Sequence, residues 1–151
     1  MRHCVVNPFR GWTLKPTRRW NGKPNFEFLV RGLADADCAK DPDMRHSISG
    51  CSAILEDAPV AAKSKGQATV TSSVTKLELT SGANCAQDVS FVMRQMQSLK
   101  LKVKSPMKLK IDDKGAVDFT NSWTIGGRIW HVDIRPCFLR ELKELGIVET
   151  E

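Results

Sequence analysis

The amino-acid sequence predicts an α/β domain in which helices pack on a mixed β-sheet. The first half holds three segments rich in β-forming residues, separated by turn residues, and a segment with apolar residues at helical spacing follows them. A fourth β-rich segment comes after that helix. Short loops between the first three strands imply an antiparallel meander, and the helical crossover allows the fourth strand to run parallel.

Each strand of the meander has its own sequence signal. Alternating β-forming residues in "NFEFLVRGLADAD" predict a first strand over residues 26–34. The segments "HSISGCSAILED" and "APVAAKSKGQATV" predict the second and third strands. Apolar residues from 75 to 99 recur at helical spacing and predict a long helix, although Gly82 weakens that helix slightly.

The second half alternates between strand and helix signals. "SPMKLKIDD" predicts a strand entered through Pro106, and "KGAVDFTNSW" predicts a short helix. "HVDIRPCFLRELKELG" predicts a helix that ends at Gly146. "IVETE" predicts the beginning of one more strand. The inward-facing residues of the last helix are predicted to be Ile134, Phe138, Leu139, Leu142 and Leu145.

Length and composition limit the class of protein. A chain of 151 residues suits one domain with a real core, and 41% apolar residues argue against wholesale disorder. Without an apolar run of about 20 residues or a signal peptide, we expect a cytoplasmic or nuclear protein that is neither secreted nor membrane-bound. Five scattered cysteines without a CxxC pair argue against a disulfide framework and a zinc site, so we expect them reduced and mostly in the core.

The positive charge is concentrated at the N-terminal end. Residues 1–32 hold seven Lys or Arg and one acid, whereas residues 33–151 hold sixteen of each sign. A basic segment that carries Trp12 and Trp20 suits contact with a phosphate backbone, and a solvated arm or linker is the plainer alternative. The prolines and glycines favour a linker over residues 1–25 and a folded domain over residues 26–151.

Three acidic residues recur where predicted elements begin or end. Asp35 ends the first strand, Glu78 lies in the first turns of the long helix, and Asp112 ends the strand "KLKID". If the first and fourth strands are neighbours in the sheet centre, the helix brings these carboxylates together. Close carboxylates repel one another unless a cation such as Mg²⁺ lies among them. Ordinary turn chemistry and the preference of helix starts for acids are the alternative explanation.

Three sequence blocks carry a specific resemblance. In order they are "ADADCAKDPDMRHSISG", "APVAAKSKGQATVTSSVTKLELTSGANCAQD" and "IDDKGAVDFTNSWTIGGRIWHVDIRPCFLRELKELGI". Together they resemble the ribonuclease H domain of copia-type LTR retrotransposon polyproteins, from about residue 26 to 148. The resemblance implies a ribonuclease H-like mixed sheet, three antiparallel strands and then a parallel one. It also implies hydrolysis of the RNA strand of an RNA–DNA hybrid, with Mg²⁺, or Mn²⁺ in its place, as cofactor.

The resemblance assigns roles to single residues. Asp35, Glu78 and Asp112 match the catalytic carboxylates that hold two metal ions. His131 and Asp133 match a motif at a helix start whose role is structural or substrate-orienting, and Asp133 as a helix cap is the alternative. The family also implies ancestral fusion to reverse transcriptase and integrase.

A second group of residues is predicted to contact the nucleic acid. Lysine and arginine would neutralise phosphates, while serine and glutamine would reach the sugar–phosphate backbone. Contacts to 2′-hydroxyls would be needed to tell RNA from DNA. The candidates are Arg45, Ser47, Ser49, Lys63, Ser64, Lys65 and Gln67. The five lysines of "KLKVKSPMKLK" are interpreted as a solvated face.

The sequence also departs from the family pattern. Lys76 replaces an acid two residues from Glu78, and Asp113 adds a like charge beside Asp112. The family continues through a further strand and a helix that carries a fourth carboxylate, so we expect the last strand and helix to be missing or incomplete. We therefore expect impaired nuclease activity. The alternative is a non-catalytic nucleic-acid-binding or interaction remnant of a retrotransposon polyprotein.

Overall fold

The computed structural model describes residues 22–23, 25–37, 47–67, 74–121 and 134–151. The strands are β1 Glu27–Phe28, β2 Val30–Asp37, β3 Ile48–Leu55, β4 Ala58–Gly66, β5 Lys102–Val103, β6 Met107–Ile111 and β7 Val148–Thr150. The helices in these ranges are α1 Val74–Ser98, α2 Lys114–Asn121 and α3 Ile134–Glu144. The domain boundary near residue 25 stays a prediction.

The main sheet has five strands in the order β4-β3-β2-β6-β7. β2, β3 and β4 form an antiparallel meander, and β6 then pairs parallel to β2. β7 pairs parallel to β6 at the edge. The predicted mixed α/β sheet is therefore confirmed, with β2 and β6 as central neighbours, and the arrangement is consistent with a ribonuclease H-like fold.

The first predicted strand is interrupted at Leu29. The Leu29 amide donates to Oε1 of Glu56 at 2.8 Å, and the Glu56 amide donates to the Leu29 carbonyl at 2.7 Å. These bonds take the place of ladder bonds, and β1 pairs with β5 in a separate two-stranded sheet. All five lysines of the lysine-rich segment are exposed, which confirms its interpretation as a solvated face, and Lys102–Val103 also form β5 by pairing with β1.

β2 also runs further than its sequence predicts. Its pairing with β3 continues to Asp37 opposite Ile48, whereas its pairing with β6 ends at Ala34 opposite Ile111. Asp35 therefore lies inside β2 and not at its end. β2 is longer than predicted because β3 continues to pair with it beyond the point where its pairing with β6 ends.

Helix α1 packs closely against the centre of the sheet. A Cβ at Gly32 would lie 2.6 Å from Cδ1 of Leu109 and 2.9 Å from both Sγ of Cys85 and Cγ2 of Val89. Only glycine leaves room for this approach. Because burial alternates along β2 and β6, Arg31, Leu33, Lys108 and Lys110 are exposed on the face that points away from α1.

Helix α3 adds a second layer of contacts beside α1. Leu139 is fully buried and Leu142 nearly so, but Leu145 is 64% exposed, so its predicted inward orientation was wrong. Leu145 lies past the end of α3 at Glu144, where helical periodicity no longer applies. Gly146 has a φ of 65°, which confirms it as the helix stop.

The cysteines divide between core and surface. Cys85 is buried, Cys51 is half-buried and Cys137 is exposed, and all three are free thiols. The expectation of mostly core cysteines therefore fails at Cys137. Among the described helices, none is long and apolar enough to span a membrane.

Candidate active site

Asp35 and Asp112 are brought side by side by the strand register. The parallel pairing of β2 with β6 ends at Ala34 opposite Ile111, so Asp35 on β2 and Asp112 just past the end of β6 come next along the chain. Both are exposed, whereas Ala34 and Ile111 are buried under α1. The two aspartates therefore lie side by side at the rim of the sheet.

Glu78 reaches the same rim from α1. It lies in the second turn of the helix and is only 4% exposed. Its Oε1 accepts a hydrogen bond from the Ala36 amide at 3.1 Å, beyond the last β2–β6 pair. Its Oε2 is buried and has no hydrogen-bond partner in the described part of the chain.

The electrostatics link Glu78 to three aspartates. Burial raises the pKa of Glu78 above its ordinary value, and the negative charges of Asp35, Asp113 and Asp112 raise it further. The hydrogen bond from Ala36 acts in the opposite direction and lowers it. Four carboxylates at one rim thus produce the repulsion that a cation would relieve.

The carboxylates are not gathered into a finished metal site. In the ranges that the structure describes, no three His, Cys, Asp or Glu side chains are grouped closely enough to hold a metal ion. Asp113 is engaged elsewhere, since its two oxygens accept from the Gly115 and Ala116 amides at 3.2 Å. Asp113 is therefore the N-cap of α2. Metal binding by Asp35, Glu78 and Asp112 stays a prediction.

A polar groove of about 520 Å³ lies beside this rim, between α1 and the strands β3 and β4. Four predicted nucleic-acid contacts line it: Ser49, Lys63, Lys65 and Gln67. Its opposite wall consists of α1 side chains, among them Asn84, Gln87 and Asp88. The groove therefore combines lysine with amide and hydroxyl groups, which suits contacts to a sugar–phosphate backbone.

The other predicted contacts are placed differently. Ser47 is 3% exposed, and its carbonyl accepts from the Gln67 amide. Ser64 alternates with Lys63 and Lys65 on β4, so it lies on the face away from the groove. Burial and strand alternation make both residues poor contacts. Three of the predicted residues, Arg45, His131 and Asp133, lie outside the described residues.

Asp88 links the α1 wall of the groove to β3 and β4. Its Oδ1 forms an ion pair with Lys63, and its Oδ2 accepts from the Cys51 thiol at 3.3 Å. Burial and this hydrogen bond raise the pKa of Cys51 to about 11. Cys51 is therefore a neutral thiol and a weak nucleophile at neutral pH.

Sequence reasoning missed the capping role of Asp113 and did not single out Asp88 or Ser81. Asp113 carried a detectable signal, because an Asp directly before a helix is a typical N-cap. Asp88 and Ser81 gave no such signal, since their partners lie on strands 25 or more residues away. Only the packing of α1 on the sheet reveals what these two side chains contact.

Comparison with known proteins gives one informative similarity. The chain is 27% identical over 114 residues to the Retrovirus-related Pol polyprotein from transposon TNT 1-94 of Nicotiana tabacum. The match covers 76% of this chain and 8% of that polyprotein, so the chain spans a small part of its relative. No protein-family profile and no solved structure matches the chain. The similarity supports a relationship between this chain and retrotransposon Pol polyproteins.

Proposed function

We propose that this chain is the ribonuclease H-like part of a copia-type retrotransposon polyprotein. Its ancestral chemistry is Mg²⁺-dependent endonucleolytic cleavage of the RNA strand in RNA–DNA hybrids. The observation that supports the proposal is the placement of Asp35 and Asp112 beside each other where the β2–β6 pairing ends, near a buried Glu78 whose pKa their charges raise and whose Oε2 has no hydrogen-bond partner among the described residues. The mixed sheet and the similarity to a Pol polyprotein support it.

The donor chemistry of this rim fits a hard cation. All the candidate ligand atoms are carboxylate oxygens, which Mg²⁺ and Mn²⁺ prefer. The unpaired Oε2 of Glu78 needs a positive partner, because a buried acceptor without one is costly. Asp35, Glu78 and Asp112 would hold the metal. When bound, two such ions supply an activated water and stabilise the leaving oxygen of a phosphodiester.

The residues of the chain itself would bind and orient the hybrid. Lys65 lies in the groove beside the rim and would neutralise a backbone phosphate. Gln67 donates to the buried Ser49 hydroxyl there, and its half-buried amide group can bind ribose hydroxyls. Lys63 is held by Asp88 and is therefore less available to a phosphate.

One local charge is expected to reduce the activity. Asp113 adds negative charge near Glu78 and raises its pKa, although its own oxygens are engaged in capping α2. Lys76 lies two residues before Glu78 on α1, and residues two apart do not share a helix face, so Lys76 is not expected to compete with a metal for Glu78. We therefore expect slow cleavage that responds to the charge of Asp113.

Cleavage of an end-labelled RNA–DNA hybrid tests the proposal. The chain is expected to cut the RNA strand only with Mg²⁺ or Mn²⁺, and Asp112→Asn is expected to abolish cutting. The matched control is Asp118→Asn, which removes an exposed acid on α2 away from the rim. If wild type and variants all bind the hybrid in a salt-sensitive way without cleaving it, the proposed nuclease activity is contradicted. That result would support a non-catalytic nucleic-acid-binding remnant.

A further inference from the structure

One peptide group at the rim is held by α1 at both of its ends. This group joins Asp35 to Ala36. Its N–H donates to Oε1 of Glu78 at 3.1 Å, and its carbonyl accepts from the Ser81 hydroxyl at 2.8 Å. Residues three apart lie on one face of a helix, so Glu78 and Ser81 act from neighbouring positions.

Ser81 also reaches the next strand. Its hydroxyl is 3.0 Å from the carbonyl of Gly50, which is the residue paired with Asp35 across β2 and β3. A serine hydroxyl has one proton, so both carbonyls share a single donor. Ser81 is completely buried, and water therefore does not compete for this donor. The side chain ties α1 to two strands at the level of Asp35.

The two hydrogen bonds from α1 to this peptide group determine which oxygen of Glu78 remains free for another partner. Because Oε1 is engaged with the Ala36 amide, Oε2 is the oxygen left for another partner. Loss of the Ser81 contact would remove the hydrogen bond from α1 to the Asp35 carbonyl and loosen the peptide group that orients Glu78, while Asp35 stays paired with Gly50 in the β2–β3 ladder.

We infer that Ser81 is a positioning residue for the cation site. It holds the Asp35–Ala36 peptide group so that Glu78 offers Oε2 alone. This inference rests on the proposed function. Loss of a group that orients metal ligands typically lowers metal affinity by about 10–100-fold, and we expect an effect of this size for Ser81→Ala.

The chain offers a matched control on the same helix. Ser90 is 8% exposed, and its Oγ has no hydrogen-bond partner among the described residues. Ser90→Ala therefore removes a buried serine hydroxyl without removing a contact. Ser81→Cys is the conservative variant, because a thiol of similar size retains a weak donor.

Two measurements on the full chain test the inference. The first is amide hydrogen exchange at Ala36 without metal, where Ser81→Ala is expected to lower protection at least about tenfold more than Ser90→Ala. The second is Mn²⁺ affinity, which Ser81→Ala is expected to weaken, Ser81→Cys to restore in part and Ser90→Ala to leave unchanged.

The outcomes separate the two proposals. Unchanged protection of the Ala36 amide in Ser81→Ala would show that Ser81 does not fix this peptide group, whether or not the chain is a nuclease. Lower Ala36 protection with unchanged Mn²⁺ affinity would overturn the positioning role alone. A wild-type chain that binds no Mn²⁺ would overturn both the proposed function and the role of Ser81 in it. If Ser81→Ala does not fold, Ala36 amide exchange and Mn²⁺ affinity measured on Ser81→Cys test the positioning role instead.

Discussion

Replacement of Glu78 by Gln is expected to stabilise the protein at neutral pH. The Gln carbonyl can keep the bond from the Ala36 amide, while its NH₂ group takes the place of the unpaired Oε2. The negative charges of Asp35 and Asp112, which raise the pKa of Glu78, favour a neutral amide over a carboxylate at this position. A buried acceptor without a partner costs about 1–3 kcal/mol, so the variant should gain up to that amount. In a domain of this size, that corresponds to a rise in Tm of roughly 2–10 °C.

The pH dependence of this gain has a definite sign. The folded-state pKa of Glu78 is raised above its unfolded value, so the ionised side chain destabilises the fold above that folded pKa. As pH falls through the folded pKa, protonation of Glu78 removes the penalty, and the gain shrinks until pH passes the unfolded value. Thermal unfolding of wild type and Glu78→Gln across this range, with circular dichroism as readout, measures the difference. A variant less stable at pH 7, or a gain that grows on acidification, would refute the reasoning.

Three further predictions concern packing, the groove and the cap. Gly32→Ala is expected to lower the free energy of unfolding by about 1–3 kcal/mol, because its Cβ would overlap three core atoms. Gly50→Ala is the control, since its Cβ would meet only ordinary contacts, and equal unfolding midpoints of the two variants in urea would contradict the prediction. Asp88→Asn is expected to free Lys63, tighten hybrid binding and steepen its salt dependence by about one counterion in filter-binding titrations. Asp113→Ala is expected to lower stability by about 1 kcal/mol through loss of the α2 cap, and an unchanged melting temperature would exclude that role.

The sequence predicted the elements that periodicity and turn residues control. The helix expected over 75–99 is observed at Val74–Ser98, and Gly146 ends α3 as predicted. The neighbouring positions of β2 and β6, and with them those of Asp35 and Asp112, were one arrangement that the order of elements allowed, and the observed pairing has it. These features depend on residues close together in the chain or on general rules of topology.

Features that depend on distant partners were not predictable. The interruption at Leu29 is made by Glu56, which lies 27 residues away, and β5 exists because β1 pairs with it. Likewise, the two carbonyls that Ser81 contacts and the ion pair between Lys63 and Asp88 follow from the docking of α1 on the sheet. A single sequence carries no local signal for such pairs.

The most direct test of the central claim is a Mn²⁺ titration of the full chain followed by electron paramagnetic resonance. Mn²⁺ serves as the probe because it prefers the same oxygen ligands as Mg²⁺. The account predicts saturable binding that Asp35→Asn, Glu78→Gln and Asp112→Asn each weaken by at least about tenfold. Asp57→Asn, an exposed acid at the β3–β4 turn, should bind like wild type. Equal Mn²⁺ affinity in all four variants and wild type would contradict the account.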